Sequence, residues 1–285
     1  MAEFFVARGL PVPPELSRPW YLDWRRLVAI LGTLAILAVG FQLTEFDVRR
    51  LQFDYAPNIL GQLARPDPSI CGPQFPEFGE TWLDGACGLM LVTIFLGIIA
   101  TALAVVIALP LSFLGARNLM TVNPVTAVVY TVVRFVFTIV RSIDVLIVVI
   151  LCAVIFGIGT AAGVVALAFH NIGVLGKLYS EAIESIDPGP IEAITATGAN
   201  RFQVVWSAVL PQIVNPFVSF TIYRLDTNVR LAPILGLVGG GGIGNILFQN
   251  IQLLHYRQAS FIIILIIVTV AAMDFMSAQV RKRLA

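Results

Sequence analysis

The chain has 285 residues, of which 58% are apolar and only 12% are charged. Soluble domains carry charges at roughly a quarter of their positions, so this composition excludes a soluble globular protein and a disordered chain. The formal net charge of +1 also excludes a nucleic-acid binder with a basic face, because no strong global field would attract a polyanion. The composition predicts a helical membrane bundle.

Apolar runs predict six membrane-spanning helices, because a bilayer core of about 30 Å requires about 20 residues per helix. In chain order the predicted spans are 27–43, 87–114, 143–156, 160–175, 209–231 and 259–280. The stretch 124–142 is apolar but carries Arg134 and Arg141 on one helix face. It is interpreted as an amphipathic helix along the membrane surface that leads into the third span.

The basic residues predict that both termini lie in the cytoplasm. With this orientation the inside segments hold twelve Lys and Arg residues and the outside segments hold five, in agreement with the positive-inside rule. The chain then divides into a cytoplasmic segment 1–26, the first span 27–43, an extracytoplasmic loop 44–86 and a transmembrane core 87–285.

Three cysteines are present, and their spacing is not that of a metal site. Cys71 lies in the extracytoplasmic loop and Cys87 at its edge, so the two can form a disulfide if the loop faces an oxidising compartment. Cys152 lies in an apolar run and is interpreted as a small buried side chain.

The sequence lacks the motifs of the common catalytic and nucleotide-binding sites. It has no GxxxxGK[ST] phosphate loop, no HExxH metal motif and no GxSxG nucleophile elbow. The glycine-rich run 236–244 follows no predicted strand, so it is interpreted as a tight outer turn where helices approach closely. We therefore predict no catalytic residue, no metal and no cofactor in this chain.

The polar segment 184–211 predicts two short helices joined at a glycine corner. Asp187 is a helix N-cap in front of Pro188, and Gly198 ends this first helix. Asn200 caps a second helix, which runs into the fifth span. The first helix carries small apolar residues that a plain solvated loop would not need. A partner surface explains them, and the alternative is a helix packed beneath the bundle.

This segment resembles the EAA motif of ABC-importer permeases, which reads EAA, three residues, G, nine residues, I-x-LP. The matching positions are Glu192, Ala193, Gly198, Leu210 and Pro211. Ile194 replaces the second alanine of the motif, and Ala208 replaces its isoleucine. The flanking segments 170–181, 185–190 and 235–244 resemble the phosphonate-transport branch of these permeases. The resemblance extends from about residue 88 to the C-terminus.

The resemblance implies an all-α membrane protein with the MetI-like fold of type I ABC importer permeases. It implies a homodimer of two permease copies, two ABC ATPase subunits that bind ATP and Mg, and an extracytoplasmic phosphonate-binding protein. The matching EAA residues are then ATPase-coupling residues in the 184–211 loop. The implied location is the inner membrane, with several passes and both termini cytoplasmic.

Polar residues in the fifth span are candidates for a substrate pathway, because such groups are costly in lipid. Thr221, Arg224 and Asn228 share one helix face, and a guanidinium suits the oxygens of a phosphonate or phosphate anion. The alternative for Arg224 is structural: it bonds a carbonyl or Asp226, or its side chain extends to the outer membrane interface. His170 in the fourth span is a further pathway candidate, and its alternative is a structural bond to a neighbouring helix.

The sequence therefore predicts the permease subunit of an ATP-driven importer for phosphonate or a related phosphorus oxyanion, such as phosphate or phosphite. One alternative is an ABC importer permease for another small solute such as methionine, since the EAA motif is shared across these permeases. Another is an ion-coupled carrier, which would leave the 192–211 loop unexplained.

Overall fold

The computed structural model describes residues 8, 24–43, 55–72, 84–121 and 123–284, and in these ranges the regular elements are all helical. Contacts divide the chain into two units, Met1–Pro57 and Asn58–Ala285, which are described separately. In the first unit, helix α1 spans Trp24–Leu43 and exposes apolar side chains along its length. The predicted first span lies within α1.

The other helices follow in chain order. They are α2 (Ala56–Leu63), α3 (Ala86–Leu114), α4 (Arg117–Met120), α5 (Pro124–Ser142), α6 (Val145–Phe156), α7 (Thr160–Glu184), α8 (Pro188–Ala196), α9 (Arg201–Val204), α10 (Leu210–Leu237), α11 (Ile243–Gln252) and α12 (Tyr256–Leu284).

Helix α7 lies at the centre of the second unit and packs against α3, α5, α6 and α10. Small residues make this contact close, and Ala162, Ala166 and Leu167 of α7 are fully buried. Within the described ranges, five helical stretches are long and apolar enough to cross a membrane: Ala86–Leu114, Pro124–Ser142, Thr160–Glu184, Phe202–Leu237 and Tyr256–Lys282. The protein is therefore a multi-pass helical membrane protein, whereas the count of six spans stays a prediction.

Helix α5 packs lengthwise along α7. Phe137 packs directly on Gly176, and a Cβ atom on Gly173 would lie 2.8 Å from the Val140 side chain. The glycines of α7 thus form the surface that accepts α5. The predicted surface helix at 124–142 is wrong in this respect, because α5 belongs to the bundle.

Helix α6 continues the path of α5 along the first half of α7. The two helices are separated by a break at Ile143 and Asp144, and the Asp144 carboxylate caps α6 by accepting the Leu146 N–H at 2.8 Å. With 12 residues, α6 is about 18 Å long and is too short to cross a bilayer alone. The third predicted span therefore has the wrong bounds, since α5 and α6 together follow α7.

The longest helical stretch joins the 184–211 loop directly to a membrane span. A π-helical segment, Val205–Val209, connects α9 to α10, so that the helix runs without interruption from Arg201 to Leu237. A π segment adds a residue to one turn and is frequent at functional sites. The predicted continuity between the second loop helix and the fifth span is confirmed.

The glycine-rich run forms the turn between α10 and α11. Gly242 has φ +73°, and a Cβ atom there would lie 2.5 Å from the Thr93 hydroxyl of α3. That hydroxyl accepts the Ile243 N–H at 2.9 Å, which ties the start of α11 to α3. The prediction of a tight turn with close helix approach is confirmed.

The segment before α3 is fixed at the same end of the bundle. Cys71 forms a disulfide with Cys87 of α3, with 4.8 Å between their Cα atoms. The Asp67 N–H donates to the Arg257 carbonyl of α12 at 3.1 Å. The Ser69 backbone N–H donates to the Asp67 carboxylate and lowers its pKa below the ordinary value. We call this the disulfide end of the bundle and the opposite end the α8 end.

Candidate functional site

Helix α8 is defined at both ends by the residues that the sequence predicts. The Asp187 carboxylate accepts the Gly189 N–H at 2.9 Å, and Pro188 occupies the first turn. The helix ends at Ala196, and Gly198 follows with φ +82°. This left-handed conformation suits glycine and turns the chain sharply toward α9.

One side of α8 is anchored and the other is exposed. Ile191 packs against a buried cluster that includes Ile183 of α7 and Ile213 of α10. Glu192 and Ala193 are exposed to solvent. The helix is therefore supported by the bundle and presents the two leading residues of the EAA motif on its free side.

The start of α8 is also bonded to α10, a contact that the sequence did not reveal. The Asp187 N–H donates to Gln212 Oε1 at 2.9 Å, and Gln212 Nε2 donates to the Asp187 carbonyl at 3.3 Å. Gln212 Nε2 also donates to the Ala208 carbonyl at 2.8 Å. These bonds connect the start of α8 to the first turn of α10. No sequence signal marks this pair, because its members are 25 residues apart.

The second loop helix exposes an aromatic pair that the sequence analysis missed. Asn200 and Gln203 form a reciprocal cap, with both bonds at 2.9 Å, as expected for Asn200. Phe202 and Trp206 stack with 6.5 Å between ring centroids and are 75% and 64% exposed. Two large aromatic side chains exposed together beside α8 indicate a contact surface. The signal in the sequence was their spacing of four residues.

Helices α4, α5 and α7 meet in a charged junction at the α8 end. Arg134 of α5 donates to Glu184 of α7 at 2.6 Å and to the Gly115 carbonyl at 3.0 Å. The same carboxylate accepts the Arg117 N–H at 2.7 Å. Arg134 and Glu184 side chains are 19% and 26% exposed. The junction anchors the helix that leads into the α8 loop.

The predicted pathway residues of α10 lie inside the bundle. Arg224 is 8% exposed, and its Nε donates to Asn171 Oδ1 of α7 at 2.9 Å. Thr221 bonds to the Tyr179 hydroxyl of α7 at 2.6 Å. The Asn228 amide donates to the Thr101 hydroxyl of α3 at 2.8 Å.

These bonds connect three helices of one protomer. The placement favours the structural alternative for Arg224, with a bond to an asparagine in place of the expected carbonyl or Asp226. The role of this face in a pathway stays a prediction.

His170 lies apart from this group of bonds. Its Nδ1 is 3.2 Å from the Ile143 carbonyl at the break between α5 and α6. The contact satisfies a carbonyl that the helix break leaves without an intrahelical partner. This placement also agrees with a structural role.

A second charged group connects α10 to α12. Arg230 Nη2 donates to Asp226 at 3.2 Å and to Asp274 of α12 at 2.6 Å. The pairing of Asp226 with Arg230 agrees with their spacing of four residues. Arg230 and Asp274 side chains are 54% and 48% exposed, unlike the buried Arg224.

These features define a class of protein. Within the described residues, no group of three or more His, Cys, Asp or Glu residues could hold a metal ion. The protein instead offers a supported helix at one end, which is linked mechanically to a continuous spanning helix. This is the architecture of a polytopic membrane protein with an exposed helical loop at one end.

Comparison with known proteins identifies the family. Residues 108–285 match the family described as the binding-protein-dependent transport system inner membrane component. The match covers more than half of the chain, so the chain belongs to this family. It is accordingly a membrane permease component of a transport system and is distinct from the ATPase.

Two relatives that match nearly all of this chain support this membership. The phosphite transport system permease protein PtxC of Stutzerimonas stutzeri is 37% identical over 284 residues, which are 99% of both chains. The phosphate-import permease protein PhnE of Mycolicibacterium smegmatis is 35% identical over 281 residues, which are 97% of this chain. The present chain spans about half the length of that protein, 50%.

Solved structures show the same fold. A chain of the MetNI methionine ABC transporter in an inward-facing conformation aligns with a TM-score of 0.59 at 24% identity. The alignment covers 69% of this chain and 94% of that chain. A chain of an amino acid ABC transporter solved with histidines aligns with a TM-score of 0.56 at 18% identity. The all-α, MetI-like fold expected from the EAA motif is confirmed.

Proposed function

We propose that this chain is the permease subunit of an ATP-driven importer for phosphonate, phosphite or phosphate. The observation that carries the proposal is the α8 loop, which is capped, anchored on one side and continuous with a membrane span through Gly198 and α9. A partner that moves α8 would make use of such a connection. The substrate class is supported by the names of the relatives, which are permeases of phosphite and phosphate transport.

Coupling in this proposal is a movement of rigid parts. A partner ATPase binds Glu192, Ala193 and the exposed Phe202 and Trp206, and its closure displaces α8. The two bonds between Asp187 and Gln212 pass this displacement to α10. Because the helix continues to Leu237, the displacement reaches the disulfide end of the bundle. Leu210 and Pro211, at the junction, lie directly on this route.

The complete transporter in this proposal contains four membrane-associated subunits and a binding protein. Two copies of this chain form a homodimer, and each copy contacts one ATPase subunit, which binds ATP and Mg. An extracytoplasmic binding protein delivers the oxyanion to the disulfide end. The α8 end then faces the cytoplasm together with both termini, and the chain resides in the inner membrane.

A methionine permease is less well supported. A probable D-methionine transport system permease of Pasteurella multocida is 29% identical over 190 residues, 62% of this chain. The phosphite permease matches the whole chain at higher identity.

The test is reconstitution of the full chain with its ATPase and binding protein in nanodiscs and proteoliposomes. We expect phosphite, phosphate or methylphosphonate to stimulate ATP hydrolysis when bound to the binding protein, and at least one of them to be taken up. A Gly198→Asp variant should insert normally but lose uptake. Stimulation by methionine alone, or normal uptake by Gly198→Asp, would contradict the proposal.

A further inference from the structure

Helix α10 carries a second polar face, which is distinct from the face that bonds to α7 and α3. We call it the outer stripe, and its members are Asn215, Ser219, Tyr223, Thr227 and Arg230. At about 100° per residue these positions fall within about 120° of the helix circumference. The centre of the outer stripe is roughly opposite the face of Thr221, Arg224 and Asn228.

The outer stripe is accessible within the protomer. Asn215, Tyr223 and Arg230 are exposed, and Ser219 and Thr227 are partly exposed. The stripe extends over 16 residues, and its two ends are about 22 Å apart, which is most of the thickness of a bilayer core. A polar stripe of this length on a spanning helix is costly against lipid, so it must face water or protein.

The charged end of the stripe lies well inside the bundle, away from the helix ends. Val229 packs against Gly97, which is in the middle part of α3, and a Cβ atom on Gly97 would lie 3.0 Å from it. Asp274, the partner of Arg230, is also far from both ends of α12. Arg230 thus remains bound at this depth instead of extending to the membrane surface, and its side chain is still 54% exposed.

Arg230 retains N–H donors beyond its bonds to two carboxylates, whose combined charge exceeds its own. One of its nitrogens, Nη2, makes both of the bonds to Asp226 and Asp274. A guanidinium offers five N–H donors, and these two bonds use only those of Nη2. Asp226 is buried, and its carboxyl group lies against that of Asp274 as well as against Arg230.

We propose that the outer stripe lines the substrate pathway and that Arg230 contacts the phosphorus oxyanion as it passes. This inference rests on the proposed function. A planar fork of donors binds two oxygens of such an anion. Asp226 and Asp274 are positioning residues that hold the guanidinium at the pathway. They also compete with the anion for it, which keeps binding weak enough for release.

The first test measures whether the stripe contacts water in the assembled complex. Single cysteines are introduced as Asn215→Cys, Tyr223→Cys and Thr227→Cys in a Cys152→Ala background that retains the native disulfide. They are treated in nanodiscs with anionic and cationic membrane-impermeant methanethiosulfonates. We expect labelling at all three positions, with the anionic reagent faster at residue 227 beside Arg230.

Two matched controls separate the pathway from the bundle and from lipid. Asn228→Cys lies on the bonded face of α10, and Val106→Cys replaces an apolar residue of α3 that is 71% exposed. We expect neither to be labelled. If the stripe positions were as unreactive as the controls, lipid or a second copy would cover them, and the proposal would be overturned.

The second test measures phosphite uptake by Arg230 variants in the same complex. Arg230→Gln should lower uptake by about ten- to a hundredfold, the range for loss of a charge-assisted hydrogen bond. The amount of assembled complex recovered for each variant is measured alongside, so that uptake is compared at equal amounts of protein. Arg230→Lys should recover part of the uptake, because it keeps the charge and loses the fork.

The outcomes distinguish this inference from the proposed function. Wild-type uptake by Arg230→Gln would overturn the role of Arg230 while the importer function stands. If the wild-type complex takes up none of phosphite, phosphate and methylphosphonate, the proposed function fails. In that case, labelling of the outer stripe would still indicate a water-filled pathway, but the pathway would serve another solute.

Discussion

At the scale of single residues, polar side chains join the helices of this protein. Arg134 and Gln212 each bond to groups of another helix, and Asn228 does so from within a span. The Asn228 bond is buried, so its loss would leave a partner that water cannot reach, whereas the Arg134 bond is partly buried and the Gln212 bond lies at the surface. The consequences of substitution therefore depend on what the side chain touches.

Replacing Arg134 with alanine should destabilise the bundle. The change removes bonds to Glu184 and to the Gly115 carbonyl, and hydrogen bonds to charged groups contribute about 2 kcal/mol. Thermal unfolding in detergent measures the loss. Arg141→Ala is the matched control, because Arg141 lies on the same helix and is exposed. Equal loss of thermal stability in both variants would contradict a specific role for the junction.

Replacing Gln212 with leucine should loosen α8 without unfolding the protein. The variant loses the bonds in both directions to Asp187 and keeps a similar volume. We expect fewer molecules transported per ATP hydrolysed and faster hydrogen exchange over 187–198. Gln249→Leu, on an exposed face of α11, serves as the control. An unchanged transport-to-hydrolysis ratio would show that this bond does not couple α8 to α10.

At the scale of elements, the corner between α8 and α9 is set by Gly198. Its φ of +82° costs about 1–2 kcal/mol for a residue with a Cβ atom, and least for asparagine. We therefore expect Gly198→Val to lose uptake and Gly198→Asn to retain most of it, with equal amounts of both in the membrane. No atom lies within 4 Å of a Cβ placed there, so crowding within the chain is not the cause. Equal uptake by the two variants would exclude a conformational role.

The elements that could be predicted are those with local signals. Asp187, Gly198 and Asn200 act on backbone groups within a few residues, so their caps can be recognised in the sequence. The position of α5 in the bundle could not be predicted, because two arginines on one helix face are typical of a helix at the membrane surface. The partner of Arg134 is 50 residues away, so the sequence does not indicate the pair. For α10, periodicity shows that Thr221, Arg224 and Asn228 share one face. It does not show which neighbouring helices that face contacts.

At the scale of the whole molecule, the two ends of the bundle are held differently. The α8 end is joined by hydrogen bonds and an ion pair, with no covalent cross-link among the described residues. The disulfide end is joined by a covalent bond and by contacts of the 58–72 segment with α12, including Ser260. The proposed coupling requires this difference, because α8 must move while the opposite end of the bundle stays in place.

Removal of the disulfide should therefore lower stability but leave coupling intact. Cys71 and Cys87 are 16 residues apart, and closing a loop of that size contributes about 3 kcal/mol. We expect Cys71→Ser with Cys87→Ser to unfold at a lower temperature and to keep the wild-type ratio of transport to hydrolysis. Reductant should lower the unfolding temperature of wild type and not that of the double variant. If the double variant transported fewer molecules per ATP hydrolysed and unfolded at the wild-type temperature, the disulfide would instead belong to the part of the protein that moves.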